Sequence, residues 1–189
     1  IDLIGLIFTS KSPRFVNGDR LKKISSLKIT KPLVGVFMDQ PVEDVNEIMS
    51  VLRLDYLQFH GSESYEYCKS FNMPFIKTIH IGSEEIVVNE MLIKSASMTL
   101  LDTQICDKKG GTGTKFDWSK LINDKSMQEI IKTGKYLVAG GLNLENINDL
   151  LVTYKPMGVD VSSGREYNIG KKDHETMETF VNIVRTYDS

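Results

Sequence analysis

"YLVAGGLNLENINDLLVTYKPMGVDVSSG" runs from Tyr136 to Gly164. It opens on an apolar run, 136–141, that ends in two glycines. Leu144, Ile147, Leu150 and Leu151 then recur at helical spacing, with Asn143 placed to cap the helix that carries them. A second strand-length run, 158–163, leads into Ser162-Ser163-Gly164. The first run is continuous in apolar residues rather than alternating, so it reads as a strand covered on both faces, as in a parallel sheet. Two such strands joined by a helix make a βαβ unit of about 30 residues.

The same unit recurs along the chain. Further runs of strand length stand at 2–8, 32–38, 55–60, 75–81 and 97–102. Between them, Val42, Val45, Ile48, Met49 and Leu52 share one helical face, and so do Met177, Phe180, Val181 and Val184. Pro41 suits the first turn of the former helix and Asp173 the N-cap of the latter. The segment 84–93 carries a less regular helical pattern. Seven strands alternating with seven helices fit either a doubly wound open sheet or a (β/α)₈ barrel. The strands end in polar or glycine residues, among them Thr9-Ser10, His60-Gly61, Asp102-Thr103, Gly140-Gly141 and Ser162-Ser163-Gly164. An open sheet gathers function at one switch point, whereas a barrel spreads it around its rim, so the even distribution favours the barrel. The sequence predicts an α/β chain, a single (β/α)₈ TIM barrel domain over residues 1–189, N-terminally incomplete because its first βα unit is missing.

Composition bounds the rest. A chain of 189 residues, 41% of them hydrophobic, builds a core that needs no covalent staple. A net charge of −2 gives no electrostatic reason to expect nucleic acid as a partner. No apolar stretch approaches the ~20 residues that cross a bilayer, so no membrane partner is expected. The two cysteines, Cys68 and Cys106, suit a reducing, cytoplasmic setting better than a disulfide. The chain begins at Ile1, directly on an apolar run unlike a signal peptide, and reads as lacking its original start.

Residues able to do chemistry cluster at the strand ends. Gly140-Gly141 and Ser162-Ser163-Gly164 close the last two strands, where backbone N–H groups and the start of a helix hold phosphate well. A barrel places its phosphate site in the loops after its last two strands. Ordinary turn chemistry is the competing reading of each loop alone. Asp102 ends the run "SMTLLD". A carboxylate bordering a dry core holds its proton to higher pH and serves as a general acid, although a cap or an ion pair with lysine would explain it equally well. "KKGGTGTKFDW", 108–118, has the length and glycine content of a lid but is not a Walker A motif, and a plain surface loop is its alternative. Arg14, in "KSPRF", presents a guanidinium able to pair with a ligand carboxylate. His60 ends a strand in "LQFHG", where a structural role competes with a catalytic one; His80 and His174 receive no role. Cys68 shares a helical face with Tyr67 and Phe71 and reads as packing. No group of His, Cys or carboxylates has metal-ligand spacing, so no metal site is expected.

Taken together, "GLIFTSKSPRFV" (5–16), "VGVF" (34–37), "LQFHG" (57–61), "LLDT" (100–103), "GGTGTKFDW" (110–118), "AGGLNLENI" (139–147) and "GVDVSSGREYNIGKKD" (158–173) resemble the phosphoribosylanthranilate isomerase family in order and spacing. The resemblance implies a (β/α)₈ barrel that works without cofactor or metal in tryptophan biosynthesis. It implies an aldose–ketose isomerase acting on a small phosphorylated substrate, N-(5-phosphoribosyl)anthranilate, by an Amadori rearrangement. A general acid protonates the furanose ring oxygen, the ring opens to a Schiff base, a general base removes the C2′ proton, and the enolamine tautomerises to the aminoketose. The acid matches Asp102. Arg14 matches the partner of the anthranilate carboxylate, and His60 and Asp160 match pocket positions. Gly140, Gly141, Ser162, Ser163 and Gly164 match the phosphate loops. The glycine-rich loop would close over the substrate.

Departures from the pattern accompany the match. Thr114-Lys115 inverts the family's usual order, Leu144 stands where proline is common, and Arg165 stands where valine is usual. The family's general base is a cysteine on its first strand, and neither Cys68 nor Cys106 matches it. The 189-residue polypeptide is therefore expected to show impaired turnover. The rival readings are a non-catalytic phosphate-binding barrel and another ribose-phosphate barrel enzyme, which would not be expected to carry "SPRFV" and "GGTGTKFDW" together.

Overall fold

Alternation of strand and helix runs through the computed structural model, which describes residues 1–81, 89–103, 124–162, 166–168 and 171–187. The chain divides into two compact units, Ile1–Thr78 with Glu90–Ser97, and Ile79–Asn89 with Met98–Ser189.

In the first unit, β1 (Ile4–Ile7), β2 (Leu33–Phe37), β3 (Tyr56–Phe59) and β4 (Phe75–Ile81, which runs on into the second unit) lie side by side in chain order. All neighbours are parallel, with Ile7 opposite Val36, Phe37 opposite Phe59 and Phe59 opposite Lys77. The connections are α1 (Gly18–Ser25), α2 (Val42–Val51) and α3 (Tyr65–Ser70), and α4 (Glu90–Ser95) also belongs to this unit. Val45 from α2 and Cys68 from α3 are fully buried against Phe37, Leu57 and Phe59, which is why the continuous apolar runs are needed. Around Cys68, Phe59 and Phe71 lie 5.6 Å apart and Tyr67 meets Phe71 edge to face at 5.2 Å. Burial pushes the Cys68 thiol up to about 12 and, helped by the nearby Glu63 charge, the Tyr67 hydroxyl up to about 12. Cys68 is thus a packing residue, as its spacing predicts.

In the second unit, β5 (Met98–Thr103), β6 (Tyr136–Ala139) and β7 (Gly158–Val159) are parallel and again in chain order. Their connections are α5 (Lys125–Lys132) and α6 (Ile147–Tyr154), and α7 (His174–Tyr187) closes the chain. Met127, Ile130, Ile147 and Leu150 of the helices bury fully, as do Leu100, Leu101 and Val138 of the strands. A short antiparallel pair, β8 (Glu166–Asn168) and β9 (Lys171–Lys172), precedes α7. Asp173 caps α7 by accepting from the Thr176 N–H at 3.0 Å, and that bond holds its carboxyl below the ordinary carboxylate range.

Among the described residues there are seven parallel strands, each followed by a helix, as the sequence predicts. Three details differ. The last parallel strand is two residues rather than six, because the backbone leaves the ladder after Val159. Pro41 occupies the N-cap rather than the first turn, with its extended ψ of 151° turning the chain into α2. The helix before β5 is seen from Glu90, while 84–88 lie outside the described residues. No helix of the described residues is long and apolar enough to cross a membrane.

Candidate active site

The second unit brings an acid, a glycine turn and a second carboxylate to the C-terminal ends of adjacent strands. The ladder sets Asp102 directly opposite Ala139, the residue before Gly140. On the next strand Val159 pairs with Val138, and the Asp160 N–H donates to the Val138 carbonyl at 2.9 Å. Asp102, Gly140 and Asp160 therefore stand at nearly one level on three neighbouring strands, Asp102 half-buried and Asp160 exposed. Asp102 has a neighbour that the sequence reading passed over. His80, near the end of β4, places Nδ1 3.9 Å from Asp102 Oδ2, with the two side chains 29% and 20% exposed. That separation is beyond a hydrogen bond. Strand alternation was the available signal: His80 shares a face with Thr78 and Ile76, whereas Ile79 and Ile81 point to the other.

Gly140 and Gly141 take φ of 88° and 62°, a conformation that costs other residues strain, so the paired glycines are dictated by the turn itself. The next residues lock the turn. Asn143 Oδ1 accepts from the N–H groups of Glu145 and Asn146 at 2.9 and 3.1 Å, and Asn146 Oδ1 accepts from the Asn143 N–H at 2.9 Å. This reciprocal arrangement has the pattern of a capping box but lies in the turn ahead of α6, whose N-cap is Asn146. Asn146 Nδ2 also donates to the Gly141 carbonyl at 3.0 Å. Asn143 was expected to open a helix with outward-facing N–H groups. Instead those of Glu145 and Asn146 are occupied, and α6 begins three residues later than that position implies. Ser162 is described and exposed, while Ser163, Gly164, the lid stretch 108–118 and Cys106 lie outside the described residues.

The first unit carries Arg14 and His60. The loop holding Arg14 is folded back on β1: the Val16 N–H donates to the Ile7 carbonyl at 2.8 Å, and the Arg14 N–H to Ser12 Oγ at 3.2 Å. His60 follows β3, its N–H donating to the Phe37 carbonyl at 2.8 Å. Its ring Nδ1 lies 3.1 Å from Thr78 Oγ1 and 3.5 Å from Gln58 Nε2. Beneath that loop runs a buried ion pair that the sequence reading also missed. Lys77 Nζ lies 2.8 Å from Glu63 Oε2, with the side chains only 5% and 2% exposed. Fourteen residues separate the partners, and no local pattern announces such a pair.

The family model for N-(5'-phosphoribosyl)anthranilate (PRA) isomerase matches residues 2–183. The chain belongs to the PRA isomerase family. It is 38% identical over 187 residues to the N-(5'-phosphoribosyl)anthranilate isomerase of Stutzerimonas stutzeri, covering 98% of this chain and 87% of that one. It is 37% identical over 190 residues to the enzyme of the same name from Hahella chejuensis, covering 99% and 86%. Among solved structures, the PRA isomerase of Thermotoga maritima superposes with a TM-score of 0.73 at 30% identity, covering 98% of this chain and 88% of that one. A PRA isomerase in complex with reduced 1-(o-carboxyphenylamino)-1-deoxyribulose 5-phosphate superposes at 0.71 with 28% identity, covering 98% and 88%. The fold expected from the sequence, that of the (β/α)₈ barrel isomerases with seven strand–helix units in this chain, is the fold these comparisons return.

Proposed function

We propose that this chain catalyses the isomerisation of N-(5'-phosphoribosyl)anthranilate to 1-(2-carboxyphenylamino)-1-deoxyribulose 5-phosphate in tryptophan biosynthesis, with Asp102 as the general acid. Membership of the PRA isomerase family over residues 2–183 carries the reaction. The ladder that levels Asp102 with Gly140 supports the assignment of the acid. In this reading Asp102 gives its proton to the furanose ring oxygen, the C1′–O bond breaks, and the nitrogen lone pair forms the C1′=N⁺ bond. Loss of the C2′ proton returns the electron pair to nitrogen as an enolamine, which becomes the ketone on tautomerisation.

The phosphate lies at the Gly140-Gly141 turn and at Ser162, Ser163 and Gly164. The positive φ values support this, because they let backbone approach an anion without an intervening Cβ. Arg14 pairs with the anthranilate carboxylate, and His60 and Asp160 line the pocket. The 189 residues act as one barrel domain in a cytoplasmic setting, and neither cofactor nor metal takes part. Titration calorimetry with the reduced carboxyphenylamino-deoxyribulose phosphate tests the binding half. Saturable one-to-one binding, lost on Arg14→Ala, is expected. Equal affinity for plain ribose 5-phosphate would return the chain to the phosphate-binding alternative.

A further inference from the structure

We propose that Lys77 and Glu63 are positioning residues that fix the His60 backbone from beneath the sheet while Thr78 holds the ring above it. The inference rests on the reading of His60 as a pocket residue. Lys77 Nζ donates to the carbonyls of Phe59 at 3.2 Å and Gly61 at 2.6 Å, the two carbonyls that flank His60. Its third donor goes to Glu63 Oε2 at 2.8 Å. One ammonium thus grips the main chain on both sides of a single residue. Successive side chains of a strand point to opposite faces. Thr78, next along β4, accordingly reaches His60 Nδ1 on the other face at 3.1 Å.

Glu63 extends the grip to a second loop. Its carboxylate accepts from the Gly61 N–H at 3.0 Å and from the Asp39 N–H at 2.9 Å, joining the loop after β3 to the loop after β2. Asp39 answers by accepting from the Ser62 N–H through Oδ1 at 2.6 Å. Its carboxylate comes so near Gly61 that a Cβ there would lie 2.3 Å from Oδ1, which explains the glycine of "LQFHG". A pair this deeply buried is a poor source of stability compared with apolar packing of equal volume, so geometry is the benefit it confers.

The test is a binding cycle with the reduced carboxyphenylamino-deoxyribulose phosphate as probe. Four proteins are compared by calorimetry: the unaltered chain, Lys77→Met with Glu63→Gln, His60→Ala, and all three substitutions together. Pairing Met with Gln keeps the fold, because no buried charge is left alone. The expected result is about a tenfold rise in Kd for the double variant and at least as much for His60→Ala. The triple variant should be no weaker than His60→Ala, since the pair acts through that histidine. Multiplying effects, or an unchanged Kd in the double variant beside a weakened His60→Ala, would overturn the proposal. If His60→Ala leaves the Kd within twofold, the pocket reading of His60 fails. The imidazole ¹⁵N shifts of His60 then decide: a changed ring signature in the double variant supports the positioning role, and an unchanged one ends it.

Discussion

Lys77→Met alone is the sharpest test of the buried network. Methionine keeps the length and apolar stem of lysine, so the change opens little space and removes chiefly the ammonium. That ammonium serves two carbonyls and one carboxylate at 3.2, 2.6 and 2.8 Å. The carboxylate left behind is 2% exposed and, among the described residues, retains the neutral N–H groups of Asp39 and Gly61 as partners. Breaking a buried pair from one side costs about 3–5 kcal/mol. Against a domain stability of about 5–15 kcal/mol, that is a large share. Adding Glu63→Gln removes the stranded charge while leaving an amide oxygen for the Asp39 and Gly61 N–H groups and an amide N–H for a vacated carbonyl. The second substitution should therefore return about 2 kcal/mol. Urea unfolding of the three proteins at neutral pH, followed by far-UV circular dichroism, measures both numbers. A loss below about 1 kcal/mol for Lys77→Met, or no recovery with Glu63→Gln, would refute the argument that the pair is dry and mutually dependent.

Other outcomes follow from the same geometry. Asp102→Asn should lower kcat by about 10²–10⁴, the usual worth of a proton-transfer group, while leaving the Kd of the reduced product analogue within a few-fold. Gly140→Ala must place a Cβ at a φ of 88°, and should cost about 1–2 kcal/mol in denaturation and weaken binding of inorganic phosphate. Cys68 and Tyr67 titrate near 12 when folded and nearer their ordinary 9.0 and 10.0 when unfolded, so the unfolded chain ionises first. Stability should be full below pH 9 and fall between pH 9 and 12, as a pH series of thermal melts would show. Cys68→Ala with Tyr67→Phe should flatten that decline.

The elements legible in the sequence are those set by local pattern. Runs such as "PLVGVFM" announce strands covered on both faces, and Val45 and Cys68 do bury against β2 and β3. Asp173 is legible as a cap because capping needs only the next three residues. Asp102 and Gly140 are legible as strand-end residues, but their shared level depends on a ladder register that joins positions far apart in the chain. Glu63 escaped notice because its value comes from Lys77, Asp39 and Gly61 in three different segments. For His80, strand alternation gives the face it shares with Thr78 and Ile76, but its nearness to Asp102 appears only once β5 is placed. Asn143 is legible as a cap from its position, whereas the reciprocal bond with Asn146 appears only when both side chains are placed.

The interlocked asparagines after Gly141 affect how an anion would be captured. A turn already fastened at Asn143, Glu145 and Asn146 by its own side chains loses little freedom when a phosphate arrives. Amide exchange at these three positions should be equally slow with the site empty or full, and capture should be limited by diffusion rather than by loop ordering. In the proposed phosphate site such a turn would work as a rigid dock, leaving discrimination among ribose phosphates to whatever recognises the other end of the molecule.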